Sequence, residues 1–306
     1  MSFRRFLSKH FLSSQTTSTP TPTQASRPIT TPARQLTQTS KPIMSSTTAT
    51  TQLSPATKVA LITGGSRGLG KNTVLALAKR GVYVIFTYQT NESAANTTIE
   101  EAKSIGGPGS LALHLDVAKP ETIDEFVKSF ISALSSIGKQ NFDYLINNAG
   151  VGHHGTLAET KSEDIDRIFN IHFKSVFLLT QKLLPHINDG GRIVNTSTGL
   201  TRFANPGFIL YASMKSAIET YTRYAAKELG KRGITVNVLA PGAIATDFGG
   251  GAVRDTKNIR DFIGSQTALG RVGEPDDIGK AYAAVLSDDF SWLSGQRIEL
   301  SGGQQL

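Results

Sequence analysis

The sequence predicts a doubly wound α/β fold: a mostly seven-stranded parallel sheet with helices on both faces. Three observations carry that prediction. From Lys58 onward, short strand-like apolar runs alternate with stretches whose apolar residues recur at helical spacing. Several runs are apolar on both faces, as expected where helices cover both sides of a parallel sheet. The first run leads into a glycine-rich turn, TGGSRGLGKN (63–72), just ahead of a helical pattern.

In chain order the strand-like runs are KVALITGG (58–65), VYVIFTY (82–88), LALHLDV (111–117), FDYLINNAG (142–150), RIVNTST (192–198), ITVNVLAPG (234–242) and RIELSGG (297–303). Helix-period stretches lie between them, among them 70–80, 120–137, 162–187 and 211–230. The long one after Thr160 opens with T-x-x-E, a capping-box signal. Right-handed crossovers then give one domain over residues 58–306, and no internal repeat or second domain is needed.

Composition changes sharply at Lys58. Residues 1–57 are dominated by Ser and Thr, carry six of the twelve prolines and contain no Asp or Glu. Such a stretch buries too little apolar surface to order itself and reads as a disordered segment. Its first fourteen residues, MSFRRFLSKHFLSS, place Phe3, Phe6, Leu7, Phe11 and Ser14 on one helical stripe, with Arg4, Arg5 and Lys9 beside or opposite it. An amphipathic, basic, Ser-rich and acid-free start is the pattern of a mitochondrial transit peptide; a merely disordered tail is the alternative. Initiation at Met44 would give a short tail and a cytoplasmic protein.

Charge and composition exclude several function classes. Of the net +8, Arg4, Arg5, Lys9, Arg27, Arg34 and Lys41 supply +6, which leaves +2 for residues 58–306. The domain therefore offers no electrostatic footprint for nucleic acid. No apolar run is long enough to span a bilayer, so no membrane insertion is expected. The absence of cysteine removes disulfides, thiolate metal sites and cysteine nucleophiles. The six histidines lack metal-ligand spacing, the adjacent His153 and His154 included, and no metal is expected.

Two motifs carry chemistry. In the glycine-rich turn, Gly64, Gly68 and Gly70 follow G-x-x-x-G-x-G where a strand passes into a helix, a variant of the dinucleotide fingerprint. Glycines let the backbone approach a pyrophosphate, and the helix N-terminus favours its charge. In YASMK (211–215), Tyr211 and Lys215 stand at i and i+4 on one helix face. A free phenol has a pKa near 10, too high for a base at neutral pH, and a cation close by would lower it.

With TGGSRGLG, NNAG (147–150), YASMK and PGAIATDF (241–248) in this order, residues 58–306 resemble the short-chain dehydrogenase/reductase family. The resemblance implies a Rossmann-type domain that binds a nicotinamide cofactor, and a tyrosine that exchanges a proton with a carbonyl or alcohol. It implies a small-molecule substrate and a homo-oligomer, dimer or tetramer. Tyr211 and Lys215 match the family's catalytic tyrosine and its lysine, which also holds a cofactor ribose. Ser66, Arg67 and Leu69 complete the cofactor turn. Asp116 and Val117 match positions beside the adenine. Asn147, Ala149 and Gly150 match the turn beneath the cofactor, and Pro241, Gly242, Ile244 and Thr246 the segment against the nicotinamide.

The chain departs from the family at two catalytic positions. Thr198 stands where the family has a serine; its hydroxyl can still donate to the substrate oxygen, and strand alternation sends the neighbouring Ser197 to the other face. His172 stands where the family has an asparagine that helps a water link the lysine to solvent, partly through its backbone carbonyl. The imidazole, with a pKa near neutrality, can join that relay, or it packs on the inner helix face with no relay function. These substitutions favour an alternative function, a non-catalytic dinucleotide-binding scaffold or redox sensor; the intact Tyr–Lys pair speaks against it.

NADP is expected over NAD. The end of the second strand is Tyr88 rather than an acid that would hold the ribose 2′-OH, and Arg67 is placed to pair with a 2′-phosphate. Substrate identity should sit in residues 247–268, where three glycines suggest a lid. There Arg254, Lys257 and Arg260 either greet an acidic substrate or form a solvated helix face.

Overall fold

The structure is a computed structural model and describes residues 52–306. Seven strands, β1 (Val59–Ile62), β2 (Tyr83–Tyr88), β3 (Ser110–His114), β4 (Phe142–Asn147), β5 (Ile187–Thr196), β6 (Thr235–Pro241) and β7 (Arg297–Leu300), form one sheet in the order β3-β2-β1-β4-β5-β6-β7. Every pairing is parallel. Strand alternation sends Val59 and Leu61 of β1 into one apolar layer and Ala60 and Ile62 into the other. The first layer is closed by α3 (Ile123–Ser136), α5 (Ser175–Leu183) and α6 (Ile209–Leu229); Phe130 of α3 meets Phe142 of β4 edge to face at 5.0 Å. The second is closed by α1 (Gly68–Ala78), α2 (Glu92–Ser104) and α9 (Pro275–Val285). Each large apolar side chain so buried contributes about 1.5–3 kcal/mol, which is why two-sided runs specify this fold.

The order reverses at β1, with β2 and β3 on one side and β4 to β7 on the other. Loops leaving the C-terminal ends of β1, β4, β5 and β6 converge at that switch point, the usual place for a ligand crevice. Two short helices, α7 (Ala252–Asp255) and α8 (Lys257–Ser265), follow β6 beside it.

The structure corrects three boundaries. The stretch 162–187 is not one helix. α4 (Ser162–Phe169) passes into a π turn at Asn170–Lys174, where the Ser175 amide reaches back to the Asn170 carbonyl, and then into α5. Pro185, with no N–H to give, sits in a short 3-10 turn, and β5 begins at Ile187 rather than 192. Thr160 does not cap α4: its hydroxyl donates to the Thr156 carbonyl at 2.8 Å, and the Lys161 amide takes up Asp164 at 3.4 Å. Residues 52–57, read as disordered, are fixed. The Leu53 amide donates to the Ile137 carbonyl at 3.2 Å, its side chain packs on the first apolar layer, and Lys139 reaches the Ser54 carbonyl at 2.9 Å. The rest of that segment, with the targeting pattern of 1–14 and Met44, lies outside the described residues. Among the described residues no helix is long and apolar enough to cross a membrane, and no group of three or more His, Asp or Glu could hold a metal ion.

Candidate active site

The start of α6 sets Tyr211 and Lys215 one turn apart against the end of β5. Both are buried; the Lys215 ammonium lies 5.8 Å from the Tyr211 ring centroid and donates to the Thr196 carbonyl at 2.8 Å. Just past β5, Thr198 stays extended; its hydroxyl accepts the Leu200 amide at 3.3 Å and lies close enough to the Tyr211 phenol to favour the ionised form. Ser197, one residue earlier, turns the opposite way and donates to Glu219 at 2.6 Å. Alternation therefore selects Thr198, not Ser197, as the hydroxyl beside the tyrosine.

The charge states differ from the sequence expectation. Burial pushes the Tyr211 phenol above its ordinary value, and only the Thr198 contact pulls the other way. Burial likewise pulls Lys215 down from 10.5 to about 7. Both groups lie in a dry setting that disfavours either charge. The resting phenol is a proton donor, and the lysine is poised between its forms at neutral pH.

His172, in the π turn, stands with its ring 5.3 Å from that of Tyr211 and nearly perpendicular to it. Its Nε2 lies 2.9 Å from the Val151 carbonyl, while the Val151 amide is farther off at 3.5 Å. A carbonyl only accepts, so Nε2 carries the proton and Nδ1 is left as a buried acceptor without a partner among the described residues. Burial, helped by the Lys215 charge, holds the imidazole well below its usual value. Instead of titrating near neutrality the ring is held in its neutral form there, and its Nε2 hydrogen bond braces the loop after β4. Gly150 permits this, since a Cβ there would lie 2.8 Å from His172 Cε1.

The glycine-rich turn is built for close approach. Gly64 and Gly68 take φ of +69° and +54°, and a Cβ on Gly70 would sit 2.0 Å from the Gly64 carbonyl oxygen. α1 starts with no side-chain cap and no acid in its first turn, so its N-terminal amides are free to meet an anion. Three residues missed in the sequence hold the turn's shape. Asn148 donates to the Thr63 and Gly64 carbonyls at 2.9 and 3.2 Å, the Thr63 hydroxyl accepts the Asn148 and Ala149 amides at 2.9 and 3.0 Å, and the Thr87 hydroxyl accepts the Gly64 amide at 3.0 Å. Asn148 stands in the NNAG motif between residues that the family resemblance matches to the cofactor turn. The Asn147 side chain is buried, donating to Asn195 at 2.9 Å and Thr180 at 3.2 Å, and it lines a small cavity with Thr63, Val117 and Ala149.

The remaining expected cofactor residues line the same edge. Ser66 gives its carbonyl to Thr98 at 3.3 Å, and Leu69 packs on the second apolar layer. Tyr88 ends β2 as a buried, uncharged ring set edge-on to His114 at 5.8 Å. Asp116 is occupied by Gln89 and by the Ala118 amide, both at 3.0 Å, and Val117 packs on the first layer. Pro241 ends β6, Gly242 donates to the Leu300 carbonyl at 3.0 Å, and Ile244 bridges to Gly273. Thr246 accepts the Phe248 amide at 3.2 Å. Arg67, exposed at the turn, pairs with Asp247 at 2.8 Å rather than standing free.

Beyond Asp247, Phe248 comes to 6.0 Å from the Tyr211 ring, centroid to centroid. A Cβ on Gly152 would lie 3.5 Å from the Phe248 ring, so Phe248 spans from the tyrosine to the loop after β4. Gly249, Gly250 and Gly251 follow with φ of +61°, +76° and +79°, a left-handed run that only glycine adopts without strain. On α7 and α8, Arg254, Lys257 and Arg260 pair with Asp255 (2.7 Å), Asp261 (2.5 Å) and Glu274 (3.0 Å), which makes them a solvated face.

This arrangement has close counterparts. A family profile described as enoyl-(acyl carrier protein) reductase matches residues 64–305. Tetrahydroxynaphthalene reductase PfmaG of Pestalotiopsis fici is 36% identical over 259 residues, covering 81% of this chain and 91% of the relative. The 3-oxoacyl-[acyl-carrier-protein] reductase FabG of Staphylococcus epidermidis is 34% identical over 251 residues, 81% of this chain and 99% of the relative. Among solved structures, the angucycline C-6 ketoreductase LanV with bound NADP superposes with a TM-score of 0.77 at 33% identity, covering 81% of this chain and 95% of that one.

Proposed function

This chain belongs to the short-chain dehydrogenase/reductase family, and from that premise we propose how its own residues carry the reaction and which substrates they take. It is an NADP-dependent oxidoreductase that converts a carbonyl compound to an alcohol or the reverse. The observation that carries the residue assignment is the buried Tyr211 phenol, held between the Thr198 hydroxyl and Lys215. When bound, the dinucleotide supplies hydride to the carbonyl carbon. Tyr211 donates its proton to the carbonyl oxygen, and Thr198 donates a second hydrogen bond to that oxygen. Lys215 then stands beside the phenolate and stabilises its charge. Val151 and Gly150, braced by His172, form the floor, and Phe248 shields the reacting atoms from water.

The uncapped start of α1 and the glycine turn suit the pyrophosphate. No free carboxylate ends β2, which supports NADP over NAD. Arg67 is the partner for the 2′-phosphate: its surface pair with Asp247 is worth only about 0–1 kcal/mol, so a phosphate can displace it.

The substrate we favour is a fused-ring aromatic ketone. The flat apolar wall of Phe248 beside Tyr211 supports it, as do the names of PfmaG and LanV. An acyl-carrier-protein substrate, as FabG's name describes, would have to displace the surface carboxylates paired with the lid's Arg254, Lys257 and Arg260. NADPH consumption with a hydroxylated bicyclic ketone, an acetoacetyl thioester and an enoyl thioester tests this, with the bicyclic ketone expected to be fastest. Faster turnover of either thioester would overturn the substrate class. NADPH binding without turnover of any carbonyl would instead leave a dinucleotide-binding scaffold.

Two further readings go with this one. A homo-oligomer is supported by the aromatic ladder of Phe169, Phe173 and Phe177, spaced 5.6 and 6.2 Å, whose outer members are exposed. Light scattering across concentration checks it, and a monomer throughout would reject it. The basic, acid-free residues 1–14 support mitochondrial targeting. A fluorescent fusion of the full chain should reach mitochondria, and one starting at Met44 should stay cytoplasmic; the same location for both would reject the targeting.

A further inference from the structure

α6 carries a third polar side chain on the stripe of its catalytic pair. Tyr211, Lys215 and Glu219 stand at i, i+4 and i+8 on one face, and each meets one of the last residues of the β5 strand path. Tyr211 lies beside the Thr198 hydroxyl, close enough for it to favour the ionised phenol, while Lys215 donates to the Thr196 carbonyl at 2.8 Å and Glu219 accepts the Ser197 hydroxyl at 2.6 Å. One oxygen of Glu219, Oε1, also accepts from the Thr201 hydroxyl at 2.7 Å and from Arg297 Nε at 2.8 Å. Arg297 in turn donates from Nη2 to the Thr198 carbonyl at 3.2 Å and from Nη1 to Glu299 at 3.0 Å. The residues on both sides of Thr198 and its own carbonyl are thereby tied, through one carboxylate, to the helix that carries the tyrosine.

We propose that Glu219 is a positioning residue for the reduction, fixing the Thr198 hydroxyl against the Tyr211 phenol through Ser197, Thr201 and Arg297. The proposal rests on the reading of Tyr211 and Thr198 as the groups that meet the carbonyl oxygen. Its physical basis is where Thr198 sits. The β5 ladder with β6 ends at Thr196, so Thr198 lies beyond the register that fixes the strand, in the turn of Gly199–Thr201. Without the carboxylate, Ser197 and Thr201 lose their common acceptor, and Arg297 is left with Glu299 as its one carboxylate partner among the described residues. Because Lys215 reaches Thr196 directly, the lysine's place does not depend on Glu219. The consequence should be confined to the hydroxyl's aim.

A double-mutant cycle on the full chain separates this from a merely structural carboxylate. Glu219→Ala should lower kcat roughly ten- to a hundredfold, the scale of a small misplacement of a reacting group, with NADPH affinity within about twofold. In a Thr198→Ala background the same change should cost only about two- to threefold, because the group it aims is gone. Glu219→Gln, which keeps an acceptor for both hydroxyls, should recover most of the rate. Multiplicative losses in the double mutant, or a Glu219→Ala enzyme with unimpaired kcat, would overturn the proposal. Tyr211→Phe run alongside tests the reading beneath it: if that variant turns over normally, the catalytic assignment falls regardless of Glu219. Should Glu219→Ala fail to bind NADPH or melt early, Ser197→Ala carries the same cycle, with the same outcomes on either side.

Discussion

The depressed lysine makes a pH-dependent contribution to stability that can be isolated. In the folded, cofactor-free protein Lys215 loses its proton near pH 7, whereas in the unfolded chain it keeps it to about 10.5. Between those values the unfolded state binds one more proton, so raising the pH stabilises the fold. One proton is worth about 1.4 kcal/mol per pH unit, and allowing for half-titration at the start, roughly 3 kcal/mol accrues between pH 7 and 9.5. Above about pH 10 the effect of Tyr211 runs the other way, because its phenol stays protonated after the unfolded one has ionised. The measurement is urea unfolding of wild type and Lys215→Met at several pH values from 6.5 to 9.5. The difference in unfolding free energy should move in favour of wild type as pH rises. Parallel curves for the two proteins would refute the burial argument, whatever their absolute stabilities.

Tyr211→Phe should cut turnover by roughly 10²–10⁴ while leaving NADPH affinity within a few-fold, as kcat and a binding titration would show. Near wild-type turnover would remove the proton-donor assignment. Arg67→Ala should raise the KM for NADPH roughly ten- to a hundredfold, the cost of a charge-assisted phosphate contact, and that for NADH far less. An equal effect on both cofactors would point away from the 2′-phosphate. His172→Ala should slow turnover roughly tenfold by releasing the Val151 carbonyl, yet leave the pH profile near neutrality unchanged in shape, since the imidazole does not titrate there. A profile that loses a limb near neutrality in the mutant would show that the ring does take part in proton transfer.

The parts of the fold that rest on local pattern were legible in the sequence. Two-faced apolar strands, a glycine turn and an i, i+4 pair are each written in a few consecutive letters, and all seven strand-like runs correspond to strands. What was not legible depends on distant partners or on burial. The helix at 162–187 keeps its apolar period through the π turn, so only the backbone shows the break and only Pro185 marks its end. Asn147 and Asn148 are adjacent identical residues, and alternation at the end of β4 decides that one joins Asn195 while the other clamps the glycine turn. The direction of the Tyr211 shift was missed because spacing reveals the nearby cation but not the loss of water around both groups. Glu219 could have been found by extending the YASMK stripe one more turn, but its partners Ser197 and Arg297 lie 22 and 78 residues away.

The strand order also has a consequence for the protein while it is being made. Among the described strands β1 is synthesised first, and it sits next to the middle of the finished sheet, with both faces apolar. One of its edges finds β2 soon after, at Tyr83, but the other must wait for β4, whose pairing starts at Tyr144. At a translation rate of about 5–20 residues per second, that edge stays unpaired for roughly 4–16 s after β1 leaves the ribosome. For that interval the nascent chain exposes an open hydrogen-bonding edge on a hydrophobic strand, the surface most prone to wrong pairing. Expression at a slower translation rate should lengthen the interval in which a chaperone must hold β1.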